Sequence, residues 1–139
     1  MDYRVMVRGI LKELGMYKMY KGCEYIVSCI DYIKRNEKTF LPVTKILYVD
    51  VAKEHNTSGR CVERDMRNVI DVIWQKGTNE SLLRTIFGEY NLTRKPTNVE
   101  FLLLLYNYIK YDMDINDQMV CPYAGIKCEH CEAVTKHIG

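Results

Sequence analysis

The stretch KILYVDVAKEHNTSGRCVERDMRNVIDVIWQKG, residues 45–77, decides the fold. Apolar side chains recur at helical spacing on both sides of a polar run that begins around His55-Asn56. Two helices joined by about four polar residues form the plan of a helix–turn–helix. We therefore predict one helix that ends before this run and a second from Ser58 to about Lys76, where Gly77 terminates it.

The second of these helices has two chemically distinct faces on a helical wheel of about 100° per residue. The apolar arc is predicted to face the core and contains Val62, Met66, Val69, Ile70 and Ile73. The polar arc lies on roughly the opposite side and contains Thr57, Arg60, Arg64, Arg67 and Asn68. A guanidinium fork can pair with guanine and an Asn side chain with adenine, so this arc has the chemistry of major-groove reading. An ordinary solvated helix face carries similar charges, and the pattern alone leaves both interpretations open.

Helical spacing recurs along the rest of residues 1–111, and no alternating strand pattern occurs. A first helix is predicted to end at Gly15, and a second to carry an apolar stripe from Cys23 to Ile33. The third precedes the polar turn and is predicted to bury Val43, Ile46, Leu47, Val51 and Ala52. A fifth spans Ser81 to Phe87, and a sixth runs from the capping box Thr97-x-x-Glu100 to about Tyr111. The predicted fold is all-α, a six-helix bundle that contains a helix–turn–helix.

Charge divides the 139 residues into a basic body and an acidic tail. Residues 1–111 hold 18 Lys/Arg and 13 Asp/Glu, a net +5, whereas residues 112–139 hold 2 and 5, a net −3. This balance permits nucleic acid as a partner of the body without requiring one. Together with the polar arc of the second helix, it leads us to predict a helix–turn–helix DNA-binding domain over 1–111 and a Cys-rich acidic extension over 112–139. The N-terminus lacks the plan of a signal peptide and the longest apolar stretch is too short for a membrane span, so a cytoplasmic chain without a membrane partner is expected.

The extension contains Cys121, Cys128 and Cys131, followed by His137. Three thiolates and one imidazole form a tetrahedral zinc site in many small domains, so these four residues are a candidate zinc site. The alternative is three free thiols in a tail that packs on a neighbour. No Gly-rich phosphate loop, Gly-x-Ser-x-Gly or His-Glu-x-x-His motif occurs, and we expect neither catalysis nor a small-molecule substrate.

Several stretches occur in the order, and close to the spacing, of a known family. They are Glu13-Leu14-Gly15, Lys21-Gly22, Thr44-Lys45-Ile46-Leu47-Tyr48, Asp50-Val51-Ala52-Lys53, Val62-Glu63-Arg64, Trp74 with Gly77, Phe87-Gly88, and Lys95-Pro96-Thr97-Asn98-x-Glu100-Phe101. Through them residues 10–111 resemble the C-terminal effector domain of the sporulation stage-zero response regulator. The resemblance implies a six-helix fold whose fourth helix reads short promoter boxes, with two copies in tandem or as a homodimer.

This chain departs from the family pattern in ways that bear on function. The family domain normally follows a phosphoacceptor receiver, and we expect none within these 139 residues. A base-reading Arg of the family corresponds to Cys61, with Arg60 one residue earlier, and a family His corresponds to Asn68. A shift of one residue rotates a side chain by about 100°, so a different sequence preference is expected.

We predict a sequence-specific, double-stranded-DNA-binding transcriptional regulator related to the sporulation initiation factor. The predicted DNA-binding residues are Thr57, Ser58, Arg60, Cys61, Glu63, Arg64, Arg67 and Asn68. The alternative is an interaction module that dimerises with, or antagonises, the full-length regulator without specific DNA reading.

Overall fold

The computed structural model describes residues 2–18, 20–37 and 45–113, and within these ranges the secondary structure is entirely helical. The helices are α1 (Tyr3–Glu13), α2 (Lys21–Arg35), α3 (Lys45–Glu54), α4 (Gly59–Lys76), α5 (Glu80–Phe87), α6 (Tyr90–Thr93) and α7 (Asn98–Asn107), followed by a π-helical segment, Tyr108–Met113. The all-α prediction is confirmed. The chain divides into two units, Met1–Tyr106 and Asn107–Gly139, and the helices discussed below belong to the first.

Local capping signals place the helix ends where the sequence predicted them. The Ser58 hydroxyl accepts a hydrogen bond from the Cys61 amide (3.2 Å) at the start of α4, and Gly77 ends this helix in a left-handed conformation with φ of 56°. The capping box at α7 is also confirmed. The Glu100 carboxylate accepts from the Thr97 amide (2.9 Å), and the Thr97 hydroxyl accepts from the Glu100 amide (3.1 Å).

The core of the first unit forms where α2 and α3 pack against α4, with α1 against α2. Every apolar residue assigned to the inner arc of α4 is buried, which confirms the predicted orientation of this helix. The buried set on α3 is partly different from the prediction. Leu47, Val51 and Ala52 are buried, but Ile46 is 52% exposed, and Tyr48 is buried instead. Val43 lies outside the described residues.

A short helix that the sequence analysis missed makes seven helices in the described ranges where six were predicted. This helix, α6, has no apolar periodicity of its own. A tertiary contact stabilises it, because the Trp74 indole of α4 donates to the carbonyl of Asn91 (2.5 Å). The Asn91 side chain is buried and donates to the carbonyl of Phe87 (2.8 Å), which ties α6 to the end of α5.

The backbones of α2 and α4 approach each other closely at Gly22. A Cβ atom at this position would overlap the carbonyl oxygen of Asp65 and lie 2.6 Å from Cγ2 of Val69. The backbone of α2 therefore lies directly on α4, which no larger residue would allow without displacing one of the two helices.

We expect Gly22→Ala to lower the free energy of unfolding by about 1–3 kcal/mol, because the added methyl group meets backbone that cannot rotate away. Gly9→Ala on α1 is the matched control, since a Cβ there has nothing within 4 Å. It should raise stability by about 0.5–1 kcal/mol through helix propensity. Urea unfolding measures the free energy of unfolding of both variants. Equal changes of the same sign would contradict the close contact of Gly22 with α4.

Candidate nucleic-acid interface

The turn between α3 and α4 consists of residues 55–58. Asn56 adopts a left-handed conformation with φ of 55°, which non-glycine residues enter mostly as Asn or Asp. The amide of Thr57 then donates back to the carbonyl of Ala52 (2.9 Å), and Ser58 caps the next helix. The length of this turn agrees with the prediction, and its hydrogen bonds fix the point where α4 begins.

A polar network around the buried Ser28 holds the turn from below. The hydroxyl of Ser28 on α2, which is fully buried, lies 2.7 Å from Nε2 of His55 and donates to the carboxylate of Glu54 (3.2 Å). Arg4 of α1 donates to the same carboxylate (3.1 Å). This network was not predicted from the sequence, where its one signal is a serine between apolar residues of α2. Satisfied buried polar groups of this kind fix one geometry.

Arg60 and Arg64 project from the exposed face of α4 near its N-terminus. Among the described residues Arg60 makes no hydrogen bond or ion pair, and Arg64 bonds its neighbour Asp65 (Nε to Oδ1, 3.3 Å) with its side chain 61% exposed. Glu63 and Asn68 are also exposed. These side chains are free to meet a ligand that lies along the helix.

Cys61 lies between the two arginines and is half-buried. Hydrogen bonds from the hydroxyls of Ser58 and Thr57 lower the pKa of its thiol, with a further contribution from the charge of Arg64. The other described cysteines behave oppositely, because burial on α2 raises the pKa of Cys23 to about 11 and also raises that of Cys29. Cys23 and Cys29 are both fully buried core residues.

Arg67 has all three of its guanidinium nitrogens engaged inside the domain. Its Nε and Nη2 donate to Oδ1 of Asp71 (3.2 Å each), and its Nη1 donates to the carbonyl of Pro96 (2.9 Å). Its reading of a base therefore stays a prediction from the sequence alone.

The segment that precedes α7 lies against α4 and adds two basic residues that the sequence analysis did not assign to the site. Lys95 donates to Asp71 (3.1 Å), and Arg94 stacks on Tyr90 at 4.8 Å and pairs with Glu100 (3.1 Å). Asn98 donates to the carbonyl of Glu63 (2.9 Å). The signal for this part of the site lies in the Lys95–Phe101 stretch, one of the stretches that carry the family resemblance.

The candidate zinc ligands Cys121, Cys128, Cys131 and His137 lie outside the described residues. Within the described ranges, no group of three or more His, Cys, Asp or Glu side chains is arranged to hold a metal ion. No helix in the same ranges is both long and apolar enough to cross a bilayer.

Comparison with known families gives a match over most of the chain. A sequence model of the family described as "Sporulation initiation factor Spo0A C terminal" matches residues 7–109, which are 103 of the 139 residues. The match includes the whole of α2 to α7 and therefore the turn and the exposed face of α4.

We expect iodoacetamide to modify Cys61 of the folded chain much faster than Cys23 or Cys29 near neutral pH. A pKa difference of two units changes the thiolate fraction by roughly a hundredfold, and burial also blocks access to the two α2 thiols. Peptide mass spectrometry resolves the three sites, with Cys61→Ser as the control. If Cys23 of the folded chain were modified as fast as Cys61, the burial of Cys23 and the lowered thiol pKa of Cys61 would be contradicted.

Proposed function

Because this chain belongs to the Sporulation initiation factor Spo0A C-terminal family, a family of DNA-binding sporulation regulator domains, we propose that it binds specific double-stranded DNA through α4 and regulates transcription. The proposed targets are short promoter boxes, occupied by two copies in tandem or by a homodimer. The proposal places the chain in the cytoplasm and assigns it no catalytic role.

The observation that supports this proposal most strongly is the division of α4 into a buried and an available face. The apolar face is fully used in the core, which leaves Arg60 and Arg64 projecting to solvent without strong partners. A helix held this way can enter a major groove about 12 Å wide without repacking the domain. The turn and its buried network hold the N-terminal end of the helix, which is the end that inserts deepest in helix–turn–helix proteins.

Each exposed side chain has a partner chemistry on DNA. Arg60 and Arg64 can donate bidentately to guanine O6 and N7, Asn68 matches adenine, and Glu63 can accept from cytosine N4. Thr57 and Ser58 lie at the start of α4, where hydroxyls and the helix N-terminus favour phosphate oxygens. Cys61 occupies the position of a base-reading arginine of the family. The positive charge comes instead from Arg60, one residue earlier and about 100° around the helix axis.

We also propose zinc binding by Cys121, Cys128, Cys131 and His137, on the basis of the ligand types and spacing in the sequence. Metal analysis of the purified chain tests this directly, and a metal-free chain would exclude it.

The function is tested by selecting a preferred duplex from a random library and measuring its affinity by fluorescence anisotropy. Arg64→Ala should weaken binding about tenfold to a hundredfold, which corresponds to the loss of one bidentate base contact. Arg84→Ala is the matched control, because Arg84 is an exposed helical arginine on α5 paired with Glu80 (3.2 Å) and Glu89 (2.8 Å). Its loss removes the same charge from another surface and should change affinity little.

Failure to select any duplex, or equal loss in both variants, would refute specific reading by α4. If the chain instead captured the full-length regulator in the presence of nuclease, the interaction-module alternative would replace the proposal.

A further inference from the structure

A polar cluster joins the middle of α4 to the segment that precedes α7. Arg67 is at its centre, with its guanidinium between the carboxylate of Asp71 and the backbone carbonyl of Pro96. Pro96 is buried, and its carbonyl lies just before the capping box that starts α7. The arginine thus bonds to both sides of the junction between the two elements.

The ion pair between Arg67 and Asp71, four residues apart on α4, by itself contributes little to the stability of the helix. An arginine four residues before an acid is in the less favourable order on an isolated helix, and the two side chains are 35% and 43% exposed, so screening is strong. The geometry is informative because the same oxygen of Asp71 also accepts from Lys95 (3.1 Å). Although partial burial acts to raise it, the hydrogen bonds from Lys95 and Arg67 hold the pKa of Asp71 below its ordinary value.

A second contact lies one helical turn closer to the N-terminus of α4. Asn98, the first residue of α7, donates to the backbone carbonyl of Glu63 (2.9 Å). Beneath the segment, Phe101 is fully buried and stacks on Phe87 with ring centroids 4.9 Å apart. The segment is therefore held against α4 by contacts at both of its ends and by the aromatic core below.

We infer that Arg67 is a positioning residue that fastens the Arg94–Asn98 segment to α4, and that it does not read a base. The fork that would pair with guanine donates to Asp71, and the remaining terminal nitrogen donates to Pro96. The consequence for DNA rests on the proposed function. By fixing the start of α7 and its preceding segment against α4, Arg67 holds the helix in the orientation in which Arg60 and Arg64 face the groove.

The two possible roles of Arg67, positioning and base reading, predict different effects of Asp71→Asn on specific DNA binding. If Arg67 reads a base, Asp71→Asn removes a negative charge near DNA and leaves or improves specific binding. If Arg67 is a positioning residue, Asp71→Asn releases the same fastening as Arg67→Ala and must reduce specific binding in the same way. The two substitutions together should then cost no more than either alone.

The first arm of the experiment uses the DNA-free chain and measures amide hydrogen exchange by mass spectrometry. Arg67→Ala and Asp71→Asn should each speed exchange in residues 94–101, where the amides of Thr97, Glu100 and Phe101 are bonded within the capping box and the first turn of α7. Arg64→Ala, three residues away on the same helix, is the matched control and should leave this segment unchanged. If neither Arg67→Ala nor Asp71→Asn changed amide exchange in residues 94–101, the inference would be overturned, whether or not the chain binds DNA.

The second arm measures the ratio of affinities for the selected duplex and for a scrambled one, which removes the general effect of charge. We expect this ratio to fall about threefold to tenfold in Arg67→Ala, in Asp71→Asn and in the double variant alike. A fall in Arg67→Ala with none in Asp71→Asn would assign Arg67 to base reading and overturn the inference. If the wild-type chain selects no duplex, the proposed function fails while the exchange arm still decides the positioning role.

Discussion

The burial of the apolar face of α4 determines which way its polar face points. Val62, Met66 and Ile73 are fully buried, so the helix cannot rotate without exposing large apolar surface. The contact at Gly22 adds a second restraint, because the backbone of α2 lies directly on Asp65 and Val69. Under these two restraints Arg60 and Arg64 must face solvent. The proposed function depends on this orientation more than on the number of positive charges.

The two ends of the exposed face of α4 are held by different groups. At the N-terminal end, a left-handed Asn56 and the buried Ser28–His55 contact define the turn and the first residues of α4. Further along, the fastening through Arg67 and the Asn98 contact define the position of the segment that follows α6. The second set consists of side-chain hydrogen bonds to backbone carbonyls, which specify position without adding much stability. Such an arrangement suits a surface that must present side chains at fixed spacing.

The sequence predicted those features that local signals determine. The bounds of α4 follow from Ser58 and Gly77, its buried arc follows from periodicity, and the start of α7 follows from the Thr97–Glu100 capping box. Features that depend on distant partners were missed or differ. The α6 helix relies on Trp74, the exposure of Ile46 depends on which neighbours reach α3, and the engagement of Arg67 depends on a segment 29 residues away. A helical wheel reports the face on which an arginine lies but gives no information on which groups occupy its donors.

The central claim is that the N-terminal half of the exposed face of α4 is the surface that meets DNA. Backbone amide shifts of the isotopically labelled chain, recorded as the selected duplex is added, test it most directly. We expect the largest changes between Thr57 and Asn68, with α1 and α5 little affected. Changes centred on α5, or a bound complex in which the amides of α4 do not shift, would contradict it.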